Sequence, residues 1–273
     1  MTNACNDCRR SIPADARFCP FCGAVQSVPL RYPIDPHSDT LTQDLLDLFF
    51  EALNTRCSEL FATTNHQPFW ERVYSTGFRD VLQQSADQTA QNIRQQPRAN
   101  VLLNRFLEEF VENLLDFFLI RHCFDLHRIP FPARILAWQG GPPLPALVQT
   151  MILDYLNLEE MDISAYPDML QMSEDQLRNA AKYFLFAARN ERIYLVCDLS
   201  VLGSCSEGFA LTDSAIYWKS PLHTARRLVY AEIETIHKED DWLLLNNHFF
   251  HANPILNARL ALLLRKLRRS GPP

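Results

Sequence analysis

Four of the chain's eight cysteines stand in its first 22 residues, as Cys5, Cys8, Cys19 and Cys22. The pattern is a C-x2-C pair, ten intervening residues and a second C-x2-C pair. Each pair can turn back on itself and aim two sulfurs at one point, and two such knuckles complete a tetrahedral shell of four thiolates. In the second knuckle Pro20 stiffens the turn and Gly23 permits an exit at positive φ, while Ile12 and Phe18 can pack over the metal. Disulfides would need an oxidising compartment that nothing in the sequence indicates. The spacing therefore predicts one structural Zn2+. A module of about 25 residues buries too little apolar area to fold alone, whereas metal binding supplies about 10–16 kcal/mol in zinc-finger peptides. Four thiolates leave no open position for water or substrate, so this metal would do no chemistry.

The remaining length, in a chain of 273 residues, calls for a sizeable core beside this small module. Seven glycines against 17 prolines disfavour a glycine-rich phosphate loop and suit helices separated by proline breaks. The first residues lack the charged start, apolar stretch and cleavage site of a secretory signal, and the longest uncharged run, Ile135 to Leu153, is interrupted by Gly140, Gly141, Pro142 and Pro143. The expectation is a soluble, cytoplasmic protein with no transmembrane segment. Residues 1–31 carry a charge of +2 and residues 254–273 carry +5, whereas 32–191 carry −10 and 192–253 carry −3. Contact with nucleic acid or an anionic surface is thereby confined to the two ends.

After Gly23, Pro29, Pro33 and Pro36 read as an extended spacer. Thr40 and Gln43 form a capping-box signature before Leu41, Leu45, Leu48, Phe49, Leu53 and Leu60, whose spacing predicts a first helix. A second is predicted from about Phe69 to before Pro97, with Leu82, Ala86, Thr89, Ala90 and Ile93 on its later buried face. A third, from about Ala99 to Arg121, sets Leu103, Phe106, Leu107, Phe110, Leu114, Phe117 and Phe118 against Glu108, Glu109, Glu112 and Asp116, which are expected to face solvent. Two more are predicted at Pro145–Leu156 and from Ser173 to about Arg189, the latter opening on a Ser173/Gln176 capping box. His122, Cys123, Asp125 and His127 crowd the end of the third helix, but their spacing matches no established metal or cysteine–histidine site. Cys57 and Cys197 are expected to be buried, unreactive thiols.

From Arg192 the period changes to that of strands. Seven short runs are predicted: Ile193–Cys197, Phe209–Thr212, Ile216–Lys219, Leu228–Tyr230, Ile233–His237, Trp242–Leu245 and His248–Phe250. Asn253 then caps a helix with Pro254 first and with Leu256, Leu260, Leu263, Leu264 and Leu267 on one face. The expectation is a small curved antiparallel sheet or partly open barrel plugged by that helix.

The cysteine knuckles, with Phe18 to Gly23 reading Phe-Cys-Pro-x-Cys-Gly, resemble the short zinc ribbons found at the N-termini of many bacterial multidomain proteins, which dock on proteins or nucleic acids. The strand order, together with Gly208 to Lys219, resembles the bacterial pleckstrin-homology-like (GRAM-related) domains. That resemblance implies a binding scaffold of seven strands and a capping helix, with no catalytic residues. Phosphoinositide-binding members carry lysines and arginines in the first hairpin loop; Asp198 to Gly208 contains none, so phosphoinositide binding is not expected.

The fold class expected is thus α+β and multidomain: a zinc ribbon at 1–26, a proline-containing linker at 27–39, a helical domain at 40–190 and a PH-like β domain with a C-terminal helix at 191–270. The function expected is that of a non-enzymatic zinc-binding adaptor that recognises protein partners. One alternative is a nucleic-acid-associated regulator using Arg9, Arg10 and Arg17 with Arg265, Lys266, Arg268 and Arg269; another is an enzyme with a site around His122 to His127.

Overall fold

A computed structural model describes residues 2–4, 8, 10–13, 19–23, 32, 34–95, 100–140 and 143–270. They form an α+β protein organised in two compact units, Met1–Leu53 with Trp70–Asp116 and Asn54–Phe69 with Phe117–Pro273. No described helix is long and apolar enough to cross a membrane.

In the first unit, β1 (Thr2–Ala4) pairs antiparallel with β2 (Ser11–Pro13), placing Asn3 opposite Ile12. Helix α1 (Leu41–Phe61) follows and contributes its earlier turns. It begins where its apolar pattern predicts, yet the cap differs. Ser38 Oγ accepts the Thr40 N–H at 3.1 Å, and Gln43 turns forward to Asp47 at 2.7 Å instead of back to the cap. The single second helix expected from the sequence is two, α2 (Gln67–Ser75) and α3 (Phe78–Gln95). Gly77 separates them at φ +75°, a conformation that costs other residues about 1–2 kcal/mol. Phe49 meets Phe78 at 5.7 Å between ring centroids, and Phe50 stacks on Tyr74 at 6.4 Å. The expected buried face of α3 is present in full.

Helix α4 (Asn100–His122) corrects the sequence reading. Its most buried stripe is Leu103, Asn104, Leu107, Glu108, Val111, Glu112, Leu115 and Asp116, while Phe106, Phe110, Leu114 and Phe117 are half-buried. Three of the four carboxylates therefore face inward, and each is engaged by a partner. The apolar pattern is wide enough to allow either rotation of the helix about its axis, so periodicity alone does not select the inner face.

In the second unit, α5 (Phe124–His127) and α6 (Val148–Leu156) precede β3 (Ser164–Tyr166) and α7 (Glu174–Tyr183). The α7 capping box forms as expected, with the Gln176 N–H donating to Ser173 Oγ and the Ser173 N–H to Gln176 Oε1. The helix stops six residues short of the expected end because Phe184 leaves helical geometry at φ −150° and buries its ring completely. Strands β4 (Ile193–Asp198), β5 (Gly208–Thr212), β6 (Ala215–Lys219) and β7 (Arg226–Val229) extend from β3 as a five-stranded antiparallel sheet. β8 (Ile236–Glu239), β9 (Trp242–Leu245) and β10 (His248–Phe250) make a second antiparallel sheet, and α8 (Pro254–Ser270) closes the chain. Each of the seven runs from Arg192 onward contributes a strand, β8 starting three residues later than Ile233–His237 predicts, in two sheets and not in a closed barrel.

The larger sheet is covered on both faces, which explains why β5 has no exposed position. Alternation sends Leu195, Cys197, Phe209, Leu211, Ile216 and Trp218 into a core shared with α6, α8 and the second sheet. Val196, Ala210, Ala215 and Tyr217 point the other way, onto Ala180 and Phe184 at the end of α7. Leu256, Leu260, Leu263, Leu264 and Leu267 all enter the first of these cores, as the sequence predicts. The indole N–H of Trp218 donates to the Phe249 carbonyl at 2.8 Å and ties the two sheets together.

Candidate metal centre

Antiparallel pairing of β1 with β2 places Cys8 in their connection. The second knuckle folds through residues 19–23. The Gly23 N–H closes it on the Cys19 carbonyl at 2.9 Å, with Gly23 at φ +72°, and the Phe21 N–H donates to Cys19 Sγ at 3.4 Å. Cys8 and Cys19 Sγ are 3.5 Å apart, and the sulfurs of Cys8, Cys19 and Cys22 all lie within 4.8 Å of one another, close enough to hold one metal ion. Among the described residues none of the three forms a disulfide. Ile12 is 3% exposed and packs with Cys19, which is 2% exposed, forming an apolar lid on one side of the sulfurs as the sequence predicts. Cys22 is on the solvent side. Cys5 and Phe18 lie outside the described residues. Among the described residues no other group of histidine, cysteine and carboxylate ligands converges this way.

Arg9 and Arg17 lie outside the described residues, and Arg10 sits 5.1 Å above the exposed ring of Phe21. On α8 the expected outer basic face turns partly inward. Arg265 donates to Glu59 at 2.5 Å and to the Ile236 carbonyl at 3.1 Å, and Lys266 donates to the Gly140 carbonyl at 2.8 Å. Both residues are buried, which removes them from contact with an external polyanion; Arg268 and Arg269 are half-buried. Arg259 is also interior, donating to the carbonyls of Pro130, Leu156 and Asn157 and pairing with Glu160 at 3.5 Å. A buried cation is tolerable only with such partners.

The histidine–cysteine cluster spans the end of α4 and the start of α5. Cys123 is fully buried. The imidazole of His127 accepts the Ile129 N–H at Nδ1 and, as the Nε2–H tautomer, donates to the Leu119 carbonyl, each at 3.0 Å. Its ring stacks on Phe61 at 4.7 Å. Burial pushes its pKa down, against the lifting effects of the Leu119 carbonyl and Asp125. Both nitrogens are occupied, so neither is presented to a substrate. Cys57 and Cys197 are buried as expected, and burial pushes the Cys57 thiol up to about 12 despite Arg56 beside it.

One local device went unread in the sequence. In the β4–β5 loop the buried Asp198 carboxylate accepts from the Ser200 N–H, the Ser200 hydroxyl and the Cys205 N–H at 2.8, 2.5 and 3.0 Å. Gln176 and Asn179 of α7 clamp the Gly203 and Ser204 carbonyls at 2.9 and 2.8 Å. Asp-x-Ser at 198–200 is the signal of such an Asx turn. These bonds hold the loop backbone on both sides of Val201 and Leu202, which are 97% and 90% exposed.

No family model, curated protein or solved structure matches the chain.

Proposed function

We propose that the protein is a non-enzymatic, zinc-binding adaptor. In this reading Cys5 joins Cys8, Cys19 and Cys22 as the fourth ligand of one structural Zn2+, making a short zinc ribbon. The convergence of the three described sulfurs carries the proposal. A tetrahedral tetrathiolate zinc with bonds of about 2.3 Å has sulfur–sulfur edges of roughly 3.8 Å, close to the 3.5 Å between Cys8 and Cys19. Zinc would supply folding energy here and no reaction, because a closed thiolate shell has no site for substrate.

The second element is a PH-like scaffold. Four consecutive strands, β4 to β7, three more, β8 to β10, and the closing helix α8 support it. Its expected ligand is a protein. The β4–β5 loop has no basic residue, and its exposed Val201 and Leu202 suit an apolar pocket on a partner, where buried aliphatic anchors add affinity.

Metal analysis of the purified chain tests the first part. One zinc per chain, lost in a Cys5→Ser, Cys8→Ser variant, is the expected result; no stoichiometric zinc, or bridged thiols, would end the reading. For the second part, partners retained by the wild-type chain should be lost in Val201→Ser, Leu202→Ser without loss of fold. Equal retention by both chains would exclude the loop as the contact.

A further inference from the structure

The second unit has an open cleft of about 570 Å3 between the end of α1, the segment around α5, Lys238 of β8 and the start of α8. That volume falls in the range of small-molecule sites, roughly 300–1,000 Å3. One wall is aromatic: Phe61 stacks parallel to Phe69 at 5.9 Å and on His127 at 4.7 Å. Leu126, Ile129 and Ile255 extend the apolar surface. Ile255 is 39% exposed at the first turn of α8, an aliphatic side chain held open to water.

The charged part of the lining is cationic. Among the described residues Arg128 and Lys238 border the cleft, and no carboxylate does. Arg128 is exposed, and among the described residues its guanidinium has no ion-pair partner. Its backbone is fixed in the left-handed region at φ +57° by its N–H bond to the Phe124 carbonyl at 2.7 Å, so the side chain leaves from a defined point. Lys238 donates to the Asp240 carbonyl, which occupies one of three ammonium protons. Because His127 has both nitrogens bonded to backbone, it adds an aromatic face and no competing charge.

We infer that this cleft binds a small amphipathic anion, an apolar body of ring or short-chain size carrying a single carboxylate or phosphate head. The body lies against the Phe61 wall, and the head meets Arg128 and Lys238. A neutral analogue forgoes the ion pairs, and a cationic one is repelled. The site shares no residue with the cysteine knuckles and, as inferred, needs no metal.

Calorimetric titration of the full chain with sodium octanoate, octyl phosphate and octyltrimethylammonium, each below its micelle concentration, tests this. Saturable binding of at least one anion is expected, with the tighter of the two assigning the head group, and no saturable binding of the cation. Arg128→Gln with Lys238→Gln, both at accessible positions, should weaken the anion about ten-fold with the circular dichroism spectrum unchanged. A second variant, Ile255→Glu, should abolish binding by placing a carboxylate against the apolar wall. The inference is overturned if neither anion saturates, if the cation binds as well as the anions, or if the double variant keeps wild-type affinity.

Discussion

Arg265 donates to Oε2 of Glu59 at 2.5 Å, linking α8 to the last turns of α1 across 206 positions of sequence. The guanidinium side is 9% exposed and the carboxylate 27%. Removing one partner of such a pair leaves a poorly hydrated charge behind, at a cost of roughly 3–5 kcal/mol when both are fully buried. Because Glu59 keeps some water contact, Arg265→Ala is expected near the lower end, about 3 kcal/mol. Urea unfolding checks it; a midpoint equal to wild type would show that the pair contributes nothing.

The cysteines should divide into two classes. Cys57, Cys123, Cys197 and Cys205 are all fully buried, and burial pushes the Cys57 and Cys205 thiols up to about 12. Thiol titration in native buffer with a strong chelator is expected to modify Cys5, Cys8, Cys19 and Cys22 rapidly, leaving these four untouched until denaturant is added. Rapid reaction of more than four groups would contradict the packing.

His127 makes stability depend on pH in a defined direction. Its folded pKa lies below the ordinary 6.5, with burial the main cause, so the unfolded chain takes up the proton first. Its contribution is complete above 6.5 and declines as pH falls from there toward the folded pKa. Protonation would also displace the Ile129 N–H from Nδ1. Denaturant melts at pH 7.5 and 5.5 should show a loss of stability that shrinks in His127→Phe. An identical loss in that variant would assign the effect to other groups.

Gly208 opens β5 at φ +151°, and a Cβ there would stand 2.1 Å from the Cys197 carbonyl oxygen. Backbone strain and overlap act together, so Gly208→Ala is expected to destabilise by about 3 kcal/mol. Gly23→Ala meets no neighbour within 4 Å and should cost about 1 kcal/mol, from its φ of +72° alone. Paired thermal melts compare the two, and equal shifts would refute the steric argument.

The residues that could be read directly are those whose structural cause lies within a few positions. The cysteine spacing brings three sulfurs together, Ser173 and Gln176 build their box, Asn253 accepts the Leu256 N–H at 2.8 Å, and seven alternating runs become seven strands. Thr40 and Gln43 satisfy the same capping pattern and do not form it, because Ser38 and Asp47 offer nearer partners.

Sequence alone determined the knuckle, most helix and strand positions and the leucine face of α8, since each follows from spacing along a regular backbone. Tertiary structure decided which charges go inside. Arg259, Arg265, Lys266, Glu108, Glu112 and Asp116 are buried, and the partners seen for the three cations lie about 30 to 200 positions away. It also brought Phe61, Arg128, Lys238 and Ile255 around one cleft. A side chain's free energy of burial depends on the groups that arrive beside it from distant segments, and no local pattern records their arrival.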